Sequence, residues 1–295
     1  MQNLKGYALL VLLGVIWGNA FVAIRVAVSP GELTPVSLTL LRWLIVSAAF
    51  LALYPLIGKA KARFERKDFF RLLVVSLTSV AIYHLSLNFS EQTVNASLAG
   101  LLISLSPLFS VVLSALALHE KIGIRVKAGL VVAIAGAAVI SSPDVSLGST
   151  NAFGPLLVVV SALSSAVFTV ASKPLVSKYG PFPVAVWSAV LGTAVLLPLI
   201  PVFSPNIVQE AVNLNLQGWT AVLYLSLLST VVANLIFYTL VGRQMVSRLV
   251  VQLYIVPLVS VVGGVLILGE QLGLATVVGG AMLLVAVGLA TISRH

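Results

Sequence analysis

Ten apolar runs of about 20 residues, separated by short segments bearing charge, Gly, Pro or Asn, dominate this chain and leave it few ways to fold. They extend from Tyr7 to Val28, Pro35 to Ile57, Phe69 to Phe89, Asn95 to Leu118, Ile124 to Ser141, Phe153 to Ser172, Pro181 to Val202, Trp219 to Val241, Leu249 to Leu268 and Leu274 to Ile292. Each is long enough to cross a bilayer as a helix. A transmembrane strand would instead show alternation over about ten residues, so helices are expected. Ten crossings take roughly 200 residues at about 20 per crossing, which leaves no loop able to hold a separate domain. With 60% hydrophobic and 8% charged residues, a soluble fold is excluded. The first run follows Lys5 as the core of a signal peptide would, but nine further runs behind it favour a retained first crossing.

The charges orient these spans. With the N-terminus inside, the cytoplasmic segments hold Lys5; Lys59, Lys61, Arg63, Arg66, Lys67 and Arg71; Lys121, Arg125 and Lys127; Lys173 and Lys178; Arg243 and Arg248; and Arg294, which is 15 of the 17 basic residues. The outer loops hold Glu32, Glu91, Asp144, Glu210 and Glu270 and no basic residue. This bias predicts a multi-pass protein of the plasma (inner) membrane with both termini cytoplasmic. It also removes nucleic acid as a partner, because the net charge of +9 is dispersed over short loops without interleaved aromatics.

The chain repeats itself. At an offset of 150, Pro107 to Gly123 matches Pro257 to Gly273 at nine of 17 positions. The informative matches are the rare residues: Pro107 with Pro257, Glu120 with Glu270, Gly123 with Gly273, and beyond them Gly129 with Gly279. At an offset of 148, Gly6, Arg25 and Pro35 fall on Gly154, Lys173 and Pro183. Residues 1–146 and 147–295 are therefore read as two copies of a five-span unit. Because five is odd, the second copy enters the membrane from the opposite side. The expected fold is an all-α integral membrane protein of ten transmembrane helices arranged as two inverted five-helix repeats. That plan is typical of secondary transporters, whose sites lie near the midplane between repeats.

The WGNAFVAIR stretch of the first span, the Pro-to-Glu spacing repeated in both halves and the Gly-rich fifth and tenth spans resemble the EamA family of the drug/metabolite transporter superfamily. The likeness extends over essentially the whole chain. It implies a polytopic permease that exports amino acids or other small metabolites. Two departures are His119, where the second copy has Gly269, and Ser165, near the position answering Trp17. The shared motifs are architectural and carry over no substrate contact.

Candidate working residues come from polar groups at membrane depth. Pro107 and Pro257 lie mid-span and should free the carbonyls of Ile103 and Leu253, making paired kinks that serve as hinges or as static packing features. Arg42 lies roughly two turns inside the outer end of the second span. It either snorkels to the interface or binds an anionic group, since a charge at helix centre costs about 2.5–3.5 kcal/mol on insertion scales. Arg25 is expected to anchor at the interface. His84, whose counterpart is Asn234, could touch substrate, relay a proton, or simply bond a neighbour. Trp17, Asn19, Tyr83, Asn88, Tyr238, Gln252 and Tyr254 complete the predicted substrate-binding set. Aromatics with a few amides suit a small amphipathic metabolite better than a bare ion.

The sequence excludes several chemistries. It has no cysteine, so thiolate metal sites and cysteine nucleophiles are absent. No ligand-spaced cluster accompanies His84, and no GxxxxGK[ST] phosphate loop occurs, so neither a metal, a cofactor nor ATP is expected. The eight acidic residues all lie in loops or at span ends, leaving no central carboxylate to carry a proton or sodium ion. An intramembrane enzyme is disfavoured because no nucleophile has a base in reach. A non-transporting receptor or scaffold is the alternative reading, for which a larger soluble segment would be expected. The partners are a small-molecule substrate and the lipid bilayer. Gly14 and Gly18, with the small residues Gly129, Ala133, Gly136 and Ala137, are read as packing within a monomer's bundle, with a homodimer as the alternative.

Overall fold

The computed structural model describes residues 2–57, 64–118, 123–140, 153–242 and 252–292, and these are helical with no β-strand among them. The helices are α1 (Gln2–Ala27), α2 (Pro35–Ile57), α3 (Arg66–Ser90), α4 (Ala96–Ile103), α5 (Ser106–Leu118), α6 (Ile124–Ile140), α7 (Phe153–Tyr179), α8 (Pro181–Leu196) and α9 (Ile207–Asn213). They continue with α10, running through Leu216–Leu223, Tyr224–Val232 and Ala233–Gly242, then α11 (Gln252–Leu268) and α12 (Leu274–Ile292). Seven helical stretches among the described residues are long and apolar enough to cross a membrane. Large apolar side chains such as Leu56, Phe70, Ile124, Ile134, Leu266 and Leu274 point outward. An outer surface of that kind is stable only against lipid.

Local sequence sets the ends. Thr34 precedes α2 and accepts the Ser37 N–H at 3.2 Å, with Pro35 at the first helical position, where its missing donor costs nothing. Asn215 caps α10 by accepting the Gly218 N–H at 2.8 Å. Gly180, at φ 84, makes the turn from α7 into Pro181 of α8.

Four expected single helices are subdivided, in three ways. The fourth run breaks at Ser104–Leu105, where i→i−3 bonds join Ser104 to Leu101 and Leu105 to Leu102. Pro107 then falls in the first turn of α5, the position where proline is tolerated. Pro257, by contrast, lies inside the unbroken α11. The seventh run leaves α-helical geometry after Leu196 and goes through a 3₁₀ turn, Leu197–Leu199, at Pro198 and Pro201. Third, π-helical segments interrupt α3 at Leu77–Ile82 and α10 at Tyr224–Val232. These two segments overlap when offset by 150 residues.

The carbonyls that a π segment frees need donors. In α3 one is met from α7, whose Ser164 Oγ donates to Thr78 O at 2.8 Å, and Ser161 Oγ adds a bond to Tyr83 O, just past the segment, at 3.0 Å. In α10 the donor comes from α1, whose Trp17 Nε1 bonds Ser229 O at 3.1 Å. The packing partners of the helices pair in the same way. Helix α1 lies on α10 and α11, while α7 lies on α3 and on α4 and α5; α2 packs on α10 as α8 does on α3. Helices α2 and α8 pack together, and so do α6 and α12. Glycines permit the closest approaches. A Cβ on Gly18 would stand 2.8 Å from Val256 O, and one on Gly136 3.0 Å from Gly279 O.

Candidate functional site: a central cavity

A cavity of about 330 Å³ lies where α1, α2, α3 and α4 meet α7, α10 and α11. That is near the lower end of the range for small-molecule sites. Helix α1 contributes Trp17, Ala20, Phe21 and Ile24; α2 contributes Arg42 and Trp43; α3 contributes Ser79, Tyr83, His84 and Leu87. The facing wall is made by Ile103 of α4, Ser165 and Phe168 of α7, Ser229, Thr230 and Asn234 of α10, and Val256 of α11. Both π segments reach the cavity, through Ser79 and through Ser229 and Thr230.

The polar centre is Arg42, only 5% exposed. Its Nη2 donates to Thr230 Oγ1 at 2.9 Å, and its Nη1 lies 3.4 Å from His84 Nδ1. Thr230 Oγ1 in turn donates to Leu225 O at 2.8 Å, five residues back, a bond that the π geometry makes available. Arg42 Nε is buried and has no hydrogen-bond partner. The ion pairs among the described residues join Lys67 and Lys178 to Glu65 and Asp68, and none involves Arg42. A guanidinium at this depth thus faces the cavity without a carboxylate. The side chain is turned toward Thr230 and His84 at the cavity.

Rings fix His84. Trp43 meets it edge-on at 5.1 Å and Tyr83 at 4.7 Å, with interplanar angles of 63° and 82°. The imidazole has little freedom to rotate, so its Nδ1 stays toward Arg42. Trp17, held by its bond to Ser229 O and by Phe237 at 6.1 Å, closes another side. The lining is mostly apolar, with a few directed polar groups.

The cavity brings together Trp17, Arg42, Tyr83, His84 and Asn234 of the sequence-predicted residues. Asn88 lies outside it, buried, donating to Thr39 Oγ1 at 2.9 Å and so tying α3 to α2. Asn19 bonds back along its own helix to Val15 O at 3.0 Å. The side chains of Tyr238, Gln252 and Tyr254 lie outside the described residues, as does Glu120. Arg25 donates from Nη1 to the backbone carbonyl of Glu91. Thr230, Ser229, Ser165, Ser79 and Phe168 were not singled out by the sequence. Only Ser165 carried a signal, through its place opposite Trp17 in the repeat. Among the described residues no three His, Asp or Glu side chains gather closely enough to hold a metal ion.

Comparison with known proteins gives this geometry its context. The profile of the EamA-like transporter family matches twice, at residues 4–142 and 152–292. An uncharacterized transporter of Archaeoglobus fulgidus is 33% identical over 96% of this chain and 98% of that protein. A probable terminal-alkyne amino-acid exporter of Streptantibioticus cattleyicolor is 33% identical over 96% of this chain and 92% of its own length. A probable amino-acid metabolite efflux pump of Escherichia coli is 27% identical over 91% and 88%. A solved crystal structure superposes with a TM-score of 0.66 at 20% identity, over 98% of this chain and 97% of that one, which shows a shared fold. The chain belongs to the EamA-like transporter family and is a multi-pass membrane transporter, not an enzyme.

Proposed function

We propose that this transporter exports small amphipathic metabolites of the amino-acid class, with the substrate carboxylate held by Arg42. The observation that carries this reading is the buried guanidinium facing the cavity with Nε unpartnered and, among the described residues, no carboxylate paired with it. Leaving such a charge uncompensated is costly, and an anionic ligand relieves the cost. Planar guanidinium suits a carboxylate in a way that a point charge does not. Trp17 and Tyr83 would flank the apolar part of the substrate, and His84, Thr230 and Asn234 would orient its polar groups. Tyr238, Gln252 and Tyr254 are proposed to complete the wall near Val256, with Asn19 beside them on α1 and Asn88 holding α3 to α2 behind it. The names of two relatives, an amino-acid exporter and an amino-acid metabolite efflux pump, support this substrate class and direction.

The mechanism proposed is alternating access by ten crossings arranged as two inverted five-helix repeats, residues 1–146 and 147–295. Both termini would be cytoplasmic in the plasma membrane, and the unit would be a monomer. The pairwise exchange of packing partners, the π segments offset by 150 residues and the twofold family match support it. The break before Pro107 and the proline in α11 would act as hinges, and the π segments would let α3 and α10 shift register at the cavity. The test is counterflow in liposomes, comparing amino acids with the amines left when their carboxyl groups are removed. Exchange of at least one acid, with its amine roughly thirtyfold slower or worse, is expected from the loss of a buried charge contact of about 2–5 kcal/mol. Equal exchange of acid and amine would contradict the carboxylate assignment.

A further inference from the structure

A second buried charge lies away from the cavity, where α3 ends and α4 begins. Glu91 follows the last residue of α3 and is 0% exposed, and neither of its carboxylate oxygens has a hydrogen-bond partner. The groups around it could have satisfied it and do not. Arg25 of α1 gives its Nη1 to the backbone carbonyl of Glu91 instead. The α4 N-terminal amides are already taken by Glu270, which arrives from the segment after α11. Glu270 Oε1 accepts the Ala96 N–H at 2.7 Å; Oε2 accepts the Ser97 N–H at 3.0 Å and also the Ser97 hydroxyl. Gly264 and Gly269 allow Glu270 to fold back there: a Cβ on Gly264 would meet the Glu270 Cδ at 2.9 Å, and Gly269 has φ 67.

We propose that Glu91 is a proton-binding site that controls this end of the transporter: protonated, it allows α3, α4 and the Glu270 segment to close together, and ionised, it forces them apart to admit water. The step is a simple proton transfer between water and the carboxylate, with no bond made elsewhere. A carboxylate stripped of water and of donors is stable only in its neutral form, so closure and proton binding are linked. Burial pushes the Glu91 carboxyl well above the usual carboxylate range; Arg25 pulls it down, and Glu270 pushes it up further. Among the described residues, those two are the charged groups that reach it. The first turn of α7, which packs on Thr93 and Val94, carries no titratable side chain, and neither do Ala96 and Ser97 of α4. The sign follows from linkage: the closed form binds the proton more tightly, so acid favours closure, and this preference is lost as pH rises through the raised titration range.

The inference rests on the alternating-access reading, and the closing experiment separates the two. The chain has no cysteine, so Ala20→Cys on the cavity wall gives a single label site. In liposomes, an impermeant maleimide is added on the side opposite the N-terminus. Relative to a free thiol at the same pH, whose own rate rises with its thiolate fraction, labelling about threefold faster near pH 8.5 than near pH 6 is expected, with Glu91→Gln slow and flat over that interval. A Glu91→Gln protein that keeps the parental pH dependence overturns the proposal. In case that variant fails to fold, Arg25→Gln is measured as well. Removing the cation should move the labelling midpoint to higher pH, and an unmoved midpoint overturns the proposal equally. Labelling from the N-terminal side alone would instead overturn the orientation of the transporter, while the Glu91 comparison could still be read from that side.

Discussion

The two halves of the chain build matching scaffolds but unequal walls. Each half brings a π segment to the cavity, and each receives donors in or just past it from the first helix of the other half: Ser161 and Ser164 for α3, Trp17 for α10. The chemistry differs. The first half contributes Arg42, Tyr83 and His84, whereas the second contributes Ser229, Thr230 and Asn234, which are smaller and uncharged. The prolines differ too, since one follows a helix break and its counterpart sits in an unbroken helix. On the proposed alternating-access reading, the two halves supply a frame of two equivalent bodies, and substrate orientation depends on breaking that equivalence. A symmetric pocket would hold a carboxylate in either of two poses, whereas this one has a single cation among its described lining residues.

The comparison can be broken most severely at Arg42. Arg42→Ala should lower transport of carboxylate-bearing substrates by roughly thirtyfold or more, the scale of losing a buried charge contact worth about 2–5 kcal/mol. Arg42→Lys should retain part of the activity, because the charge stays while the planar fork is lost. Counterflow rates normalised to folded protein check both. A milder effect is expected where the second half touches that cation. Thr230→Val removes one bond to the guanidinium, a loss of about 1.5 kcal/mol, and should slow transport about tenfold. If Thr230→Val proved as damaging as Arg42→Ala, the two halves would be contributing equally, and the asymmetry would be wrong.

Much of the frame was legible because apolar runs, charge bias and rare repeated residues are signals that survive without any knowledge of tertiary contacts. Polar positions such as Arg42 and His84 stood out for the same reason, as exceptions within apolar runs. Their direction was less legible. Asn88 is one turn from His84, yet it bonds Thr39 behind the cavity while His84 faces it, and the π segment just before them shifts the helical phase on which such a reading depends. Thr230 and Ser229 gave no signal, since hydroxyls in membrane helices commonly bond their own backbone. Glu91 read as an outer-loop charge. Its burial depends on Arg25 and Glu270, which lie far from it in sequence and meet the nearby start of α4 only in the fold.

The inverted arrangement is tested most directly at two repeat-related positions, Lys67 and Gln217, both exposed and 150 residues apart. Single cysteines placed there in the cysteine-free chain should lie on opposite sides of the membrane. An impermeant maleimide added from outside should label Gln217→Cys and reach Lys67→Cys only after permeabilisation. Labelling of both from the same side would contradict the inversion, and alternating access between upside-down halves would fail with it.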